Sequence, residues 1–73
     1  MSRTYMDNRG WMYRVMEEIG GTCYKGCYSW PGRGSWHGLW QLPWRETREE
    51  AEADLDRLAA ERGWTVWMEA TEV

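Results

Sequence analysis

The sequence is poor in the side chains that catalysis and metal binding use. It holds a single histidine, His37, and two cysteines, Cys23 and Cys27. A structural zinc site takes four ligands, so these three side chains do not complete one. Ser29 and Ser35 have no base at a spacing that is typical of an activated nucleophile. We therefore expect a protein that is not an enzyme and that holds no metal and no cofactor.

Long hydrophobic runs are also missing. No stretch approaches the ~18 apolar residues of a membrane-spanning helix, and residues 1–10 contain no apolar segment typical of a targeting signal. If Cys23 and Cys27 share a strand, their Cα atoms lie roughly 13 Å apart, which is too far for a disulfide. These absences predict a cytoplasmic protein with reduced thiols and no membrane contact.

Phenylalanine is absent, and tryptophan and tyrosine take its place. The chain of 73 residues contains seven tryptophans and four tyrosines. This length is near the lower limit at which a single core is stable without disulfides, a metal or a partner. Each ring can bury on the order of 150–250 Å². We expect a single domain over residues 1–73, with a core built mostly from these rings and with residues 1–9 flexible.

Lysine is absent after Lys25, and charge is divided unevenly along the chain. Residues 1–40 contain three acidic and five basic residues, whereas residues 41–73 contain nine acidic and four basic residues. The second half is therefore a poor phosphate-binding segment. It favours either a basic partner or a solvated surface.

Alternating apolar residues predict strands at residues 11–18, 23–30 and 64–70. Gly20 and Gly21 separate the first two, and glycine tolerates the positive φ angles that a tight hairpin turn requires. A Pro- and Gly-rich segment at residues 31–35 predicts a second turn. The first two strands are thus expected to form an antiparallel hairpin.

Three tryptophans, Trp36, Trp40 and Trp44, recur every four residues in the segment that follows. A helix there would contain Gly38 and Pro43, which cost roughly 1 and 3 kcal/mol in a helix interior. A strand avoids that cost if Pro43 lies near its end. We therefore predict a strand at residues 36–44 whose three tryptophans face the helix that comes next in the chain.

One helix is predicted at residues 48–62, a segment rich in Ala, Leu, Glu and Arg. Thr47 and Glu50 have the spacing of a capping box, and Gly63 is a typical stop. The inward-facing stripe consists of Ala51, Leu55, Leu58 and Ala59. The sequence thus predicts an α+β fold in the order β-β-β-α-β, with a small antiparallel three- to four-stranded sheet and one α-helix packed on it.

Carboxylates are concentrated on the outward side of this helix. Glu49, Glu52 and Asp56 form one row, and Glu50, Asp54 and Glu61 form a second row that Arg57 interrupts. Residues three or four apart rise about 4.5–6 Å along a helix, which is comparable with two phosphate steps of a DNA strand at roughly 3.4 Å each. We hypothesise an acidic surface that occupies the nucleic-acid-binding groove of another protein. A helix face that is merely solvated is the alternative.

Strands followed by a helix that begins "TREEA" (residues 47–51) resemble the small sheet-plus-helix modules of phage integrases. The resemblance covers residues 11–62 and implies a sheet that binds DNA. The sequence departs from such a module because its strands offer only Arg14 and Lys25, with Arg33 in a turn, whereas binding needs several phosphate contacts.

In size, acidity and lack of a catalytic set, the chain resembles phage-encoded inhibitors of the anti-CRISPR type, some of which mimic DNA. That resemblance implies a non-catalytic inhibitor in the host-cell cytoplasm. Its partner would be a basic nucleic-acid-binding protein or a CRISPR effector subunit, with no direct binding to nucleic acid. The expected contacts are the six carboxylates of the helix, with Trp67 or Trp40 as an apolar anchor. The sequence leaves the oligomeric state open.

Overall fold

A computed structural model describes residues 2–32 and 34–70 of the chain. These residues form five strands and one helix: β1 (Ser2–Met6), β2 (Met12–Glu17), β3 (Tyr24–Ser29), β4 (His37–Gly38), α1 (Arg48–Arg62) and β5 (Thr65–Ala70). The strands make one antiparallel sheet in the order β4-β3-β2-β1-β5. The predicted α+β class is confirmed, with one strand more than the predicted order contained.

The additional strand lies where the sequence suggested a flexible end. Residues 2–6, part of the segment expected to be flexible, form β1 in the interior of the sheet, between β2 and β5, and Met1 lies outside the described residues. Tyr5 is buried and faces Tyr13 on β2 and Val66 on β5. The alternation of Arg3 and Tyr5 with Thr4 and Met6 is strand-like, and burial of the Tyr5 ring holds β1 in the sheet.

The predicted hairpin joins β2 and β3. The Glu18 amide donates to the Cys23 carbonyl at 2.8 Å, and the Gly21 amide donates to the Glu18 carbonyl at 2.8 Å. Gly20 and Gly21 have φ angles of 107° and 73°, which explains why glycine stands at both turn positions. Cys23 and Cys27 are both free thiols, as their spacing predicts.

Helix α1 has the predicted bounds, and the hydroxyl of Thr47 accepts a hydrogen bond from the Glu50 amide at 3.3 Å. The same hydroxyl donates to the Glu50 carboxylate at 2.9 Å, and the helix ends at Gly63 with φ 73°. The predicted inward stripe is buried as expected: Ala51, Leu55, Leu58 and Ala59. The helix packs across β3, β2 and β1, and in the described part of the chain no helix is long and apolar enough to cross a membrane.

The prediction that Trp36, Trp40 and Trp44 lie on one strand and face the helix is wrong. Strand β4 contains only His37–Gly38, and the chain turns directly after it. Trp40 is 86% exposed and Trp44 is 50% exposed. The tryptophans therefore lie outside the core that they were expected to form.

Two leucines from the same segment fill the space that the tryptophans were expected to fill. Leu39 and Leu42 are buried, and the Leu42 amide donates to the Leu39 carbonyl at 3.1 Å, which makes the turn. Both side chains lie over Gly26 of β3, where an added Cβ would come within 2.7 Å of a Leu42 methyl group. Branched aliphatic side chains fit this shallow gap between sheet and helix, and an indole ring does not.

The buried rings are tyrosines. Tyr5 and Tyr13 belong to the core, whereas Trp11, Tyr24, Tyr28 and Trp64 pack against it as partly buried side chains. Trp64 stacks on Tyr13 with ring centroids 3.6 Å apart and an interplanar angle of 7°. The expectation of a core built mostly from rings is therefore wrong: the buried core is mostly aliphatic, with two tyrosines in it and other rings at its border.

The Tyr13 hydroxyl is tied to a carboxylate in the turn between β1 and β2. It donates to Asp7 at 2.7 Å, and the same carboxylate oxygen accepts from the Arg9 guanidinium at 2.9 Å. The other Asp7 oxygen accepts from the backbone amides of Arg9 and Trp11. Burial and the bond to Asp7 raise the pKa of Tyr13 to about 12.

This raised pKa predicts a loss of stability in alkali. An unfolded tyrosine ionises near pH 10, so Tyr13 contributes its full stabilisation below pH 10 and loses it as the pH rises toward 12. The loss should be on the order of 2–3 kcal/mol. Urea unfolding curves at pH 8 to 12 will measure it, and the decline should be smaller in Tyr13→Phe. Tyr24→Phe is the control, and the same decline in all three proteins would contradict the assignment.

Candidate functional site

The six helix carboxylates predicted as a binding site have three different environments. Glu49, Glu50 and Glu61 are exposed, Glu52 and Asp56 are half-buried, and Asp54 is buried. The two predicted rows are therefore not equivalent. Their contacts decide which of them can bind a partner.

Asp54 is 3% exposed, so its predicted place on the outward surface is wrong. Its carboxylate accepts hydrogen bonds from Arg45 at 2.8 and 3.1 Å and from Arg57 at 3.2 Å. The bonds from Arg45 lower the pKa of Asp54 despite its burial, with a further contribution from Arg57. Arg45 also exchanges two backbone hydrogen bonds with Tyr24, so the ion pair connects α1 to the edge of β3. Asp54 is a structural residue.

Asp56 and Glu52 lie at the boundary between α1 and β1. Asp56 accepts a hydrogen bond from the Tyr5 hydroxyl at 2.5 Å and pairs with Arg3 at 3.4 Å. Burial raises the pKa of Glu52, and its Oε2 atom is buried without a hydrogen-bond partner. The row Glu49–Glu52–Asp56 therefore exists, but two of its members are directed toward the sheet.

Between residues 41 and 68, three exposed carboxylates have no ion pair: Glu46, Glu49 and Glu61. Glu17 and Glu18, at the hairpin between β2 and β3, are likewise exposed and without an ion pair in the part of the chain that the structure describes. Glu50 is half-exposed, with Arg45 at 3.9 Å. Sequence reasoning missed Glu46, which stands one residue before the helix cap and outside the helical repeat. We call the set Glu46, Glu49, Glu50, Glu52, Asp56 and Glu61 the acidic helix surface.

The apolar neighbours of this surface are small. Ala53 and Ala60 are exposed between the carboxylates, and Arg57, although exposed, already pairs with Asp54. Trp67, one of the two predicted anchors, is 51% exposed on β5, the strand beside β1. Trp40, the other predicted anchor, is not on this surface; it lines a cleft near the C-terminal end of α1.

No group of three or more His, Cys, Asp or Glu side chains within residues 2–32 and 34–70 is placed to hold a metal ion. Burial raises the pKa of the Cys27 thiol, so this side chain resembles an inert core cysteine more than a nucleophile. No protein-family model matches the sequence, and neither a curated protein nor a solved structure is significantly similar to it. The function must be inferred from surfaces.

Proposed function

We propose that this chain is a non-catalytic protein-binding inhibitor of the anti-CRISPR type. Its acidic helix surface occupies a basic, nucleic-acid-binding surface of a partner protein, such as a CRISPR effector subunit in the cytoplasm of a phage host. The observation that carries the proposal is that three exposed carboxylates without ion pairs, Glu46, Glu49 and Glu61, lie on or directly before one helix. Charges that are not neutralised within the protein are available to a partner.

The spacing of the carboxylates supports mimicry of a phosphate backbone. The exposed carboxylates Glu49 and Glu61 are separated by about 18 Å of helix rise, whereas Glu52 and Asp56 between them are held against β1. A separation of about 18 Å corresponds to roughly five phosphate steps of one DNA strand. Ala53 and Ala60, which lie between the carboxylates, have short side chains, so a partner can approach the helix backbone closely.

The proposal predicts that reversing two exposed charges weakens inhibition. We expect the wild-type protein to displace target duplex from a purified CRISPR effector complex at about 0.1 M salt, and less so at higher salt. The double variant Glu49→Lys with Glu61→Lys should inhibit about tenfold or more weakly, because like charges then face the basic groove. Electrophoretic mobility shift of labelled duplex, across effectors of several types, measures the displacement.

The matched control is Glu17→Lys with Glu18→Lys, which makes the same change of net charge at the hairpin between β2 and β3. It should leave inhibition within about twofold of wild type. An equal loss in both double variants would show that only net charge matters. Displacement that neither salt nor the helix variant alters, or no displacement from any effector, would contradict the proposal.

The second candidate is the integrase-like nucleic-acid-binding module. One observation favours it: cations and aromatic rings lie together on the face of the sheet away from α1. Arg14 lies 4.4 Å from the centroid of the Trp36 ring, and Lys25 lies 5.4 Å from that of the Trp44 ring. Arg33, the third basic residue expected there, lies outside the described residues. Binding of the protein to duplex DNA at physiological salt, without any effector, would favour this candidate over the first.

A further inference from the structure

A cleft of about 260 Å³ opens beside the start of β2 and the C-terminal end of α1. Five aromatic rings line it: Trp11, Tyr13, Tyr28, Trp40 and Trp64. They come from both halves of the sequence, and the antiparallel pairing of β2 with β3, together with the return of the chain after α1, brings them together. Such a concentration of rings at one partly open site is typical of ligand-binding clefts.

The rings of the cleft are held in position before any ligand binds. Trp64 is stacked on Tyr13, and Trp11 is stacked on Tyr28 with ring centroids 5.7 Å apart and an interplanar angle of 14°. Tyr13 is fixed further by its bond to Asp7. A planar ligand therefore meets preformed flat surfaces and loses little free energy in ordering them.

Three side chains at the cleft lack, within the described part of the chain, a partner of the kind that they can bind. The Trp40 indole is 86% exposed and has no ring partner or hydrogen bond. The Gln41 amide makes no side-chain hydrogen bond, and the Arg62 guanidinium has no carboxylate partner. A stacking surface, an amide and a cation thus face one opening.

A second, polar depression of about 310 Å³ adjoins the cleft and shares Arg9, Arg62 and Trp64 with it. Asp7, Asn8 and Gly63 also line it. The Arg9 guanidinium is fixed, since it pairs with Asp7 and lies 4.2 Å from the centroid of the Trp11 ring. Two guanidinium groups thus stand where the aromatic cleft meets a polar one.

We propose that this cleft binds a nucleotide. The base stacks on Trp40 and the preformed rings, the Gln41 amide reaches its polar edge, and the phosphate lies against the Arg62 guanidinium at the border of the polar depression. Aromatic stacking tolerates every base, amides pair with base edges, and guanidinium groups suit phosphate oxygens. The charge of Arg9 is balanced by Asp7, so the guanidinium of Arg62 is the group that favours this anionic planar ligand over a neutral sugar, which aromatic rings can also stack against.

A nucleotide site goes beyond the proposed inhibitor function and uses none of the acidic helix surface. The sequence predicted no direct binding to nucleic acid because the chain lacks a basic groove that could follow a phosphate backbone. A single nucleotide needs only one phosphate contact, which Arg62 supplies. The ligand can be a free nucleotide or one unit of a single-stranded nucleic acid, since both present the same base and phosphate.

Nuclear magnetic resonance of the tryptophan indole N–H groups will test the site. Adenosine 5′-monophosphate should shift the Trp40 and Trp64 signals, and adenosine or ribose 5-phosphate should do so only at higher concentration, since each lacks one half of the ligand. Tighter binding of a six-nucleotide single-stranded DNA identifies the strand as the source of the nucleotide. Equal binding identifies the free nucleotide.

Two variants and two matched controls decide the assignment. Trp40→Ala and Arg62→Gln should each weaken binding of adenosine 5′-monophosphate by about tenfold or more, and Arg62→Gln should also flatten its salt dependence. Met68→Ala and Arg48→Gln, at positions outside the cleft, should bind within about twofold of wild type. Equal weakening by the controls, equal shifts with neutral maltose, or no shift at millimolar nucleotide would overturn the proposal.

Discussion

Replacing Leu55 by alanine should lower the free energy of unfolding by about 2–5 kcal/mol. Leu55 is 0% exposed in the middle of α1 and meets the sheet above Gly26, where an added Cβ would come within 3.2 Å of one of its methyl groups. Gly26 has no side chain that could move into the gap, so only the neighbouring Leu39 and Leu42 side chains can fill part of it. The cost should therefore lie toward the upper part of that range.

This loss is large relative to the total free energy of unfolding of so small a domain. A chain of 73 residues has a total stability of about 4–11 kcal/mol, so the variant loses a large share of it. Urea unfolding followed by tryptophan fluorescence measures the change. The control is Ile19→Ala, a comparable truncation at a residue 102% exposed, which should cost less than about 0.5 kcal/mol. A Leu55→Ala loss below about 1 kcal/mol would contradict the packing described above.

The helix could be predicted from sequence in detail because its signals are local. Thr47, Glu50 and Gly63 specify where it starts and stops, and the small apolar stripe specifies the side that faces the sheet. The same holds for the hairpin at Gly20 and Gly21. Each of these features depends on residues a few positions apart, whose geometry the chain itself imposes.

The burial of the tryptophan-rich segment could not be predicted in this way. Periodicity placed Trp36, Trp40 and Trp44 on one face but could not show that Leu39 and Leu42 fit the gap above Gly26 better. Gly26 is distant in sequence from this segment. The space that its missing side chain leaves is formed only when β3 and α1 pack together. The place of β1 in the sheet likewise depends on partners at the other end of the chain.

The contacts of the acidic residues depend on the same long-range placement. The helical repeat placed Asp54 in an outward row, but Arg45, which is bridged to Tyr24 on β3, binds it and buries it. Asp56 meets Tyr5, which is 51 residues away in sequence. The residue types of the acidic helix surface were predictable, and the contacts that separate structural from available carboxylates were not.

The ion pair of Asp54 provides the second large expected effect. Asp54→Asn should lower the free energy of unfolding at pH 7 by about 1–3 kcal/mol, because it keeps the shape of the side chain but removes the carboxylate of the pair. Among the described residues, Arg57 then has no carboxylate partner, and Arg45 keeps only Glu50 at 3.9 Å. The exposed part of Arg45 limits the loss, since water can still solvate it. Glu49→Gln is the matched control and should change stability by less than about 0.5 kcal/mol.

The pH dependence of this effect has a definite sign. Hydrogen bonds from Arg45 hold the pKa of Asp54 below that of an unfolded aspartate, about 3.9. The stabilisation is therefore complete above pH 5 and is lost as the pH falls through the lower folded value. The stability difference between wild type and Asp54→Asn should shrink between pH 5 and pH 2 in urea unfolding measurements. Asp7, whose pKa is also lowered, is present in both proteins and cancels in the difference. A difference that stays constant down to pH 2 would mean that packing, and not the charge of Asp54, holds α1 to the edge of β3.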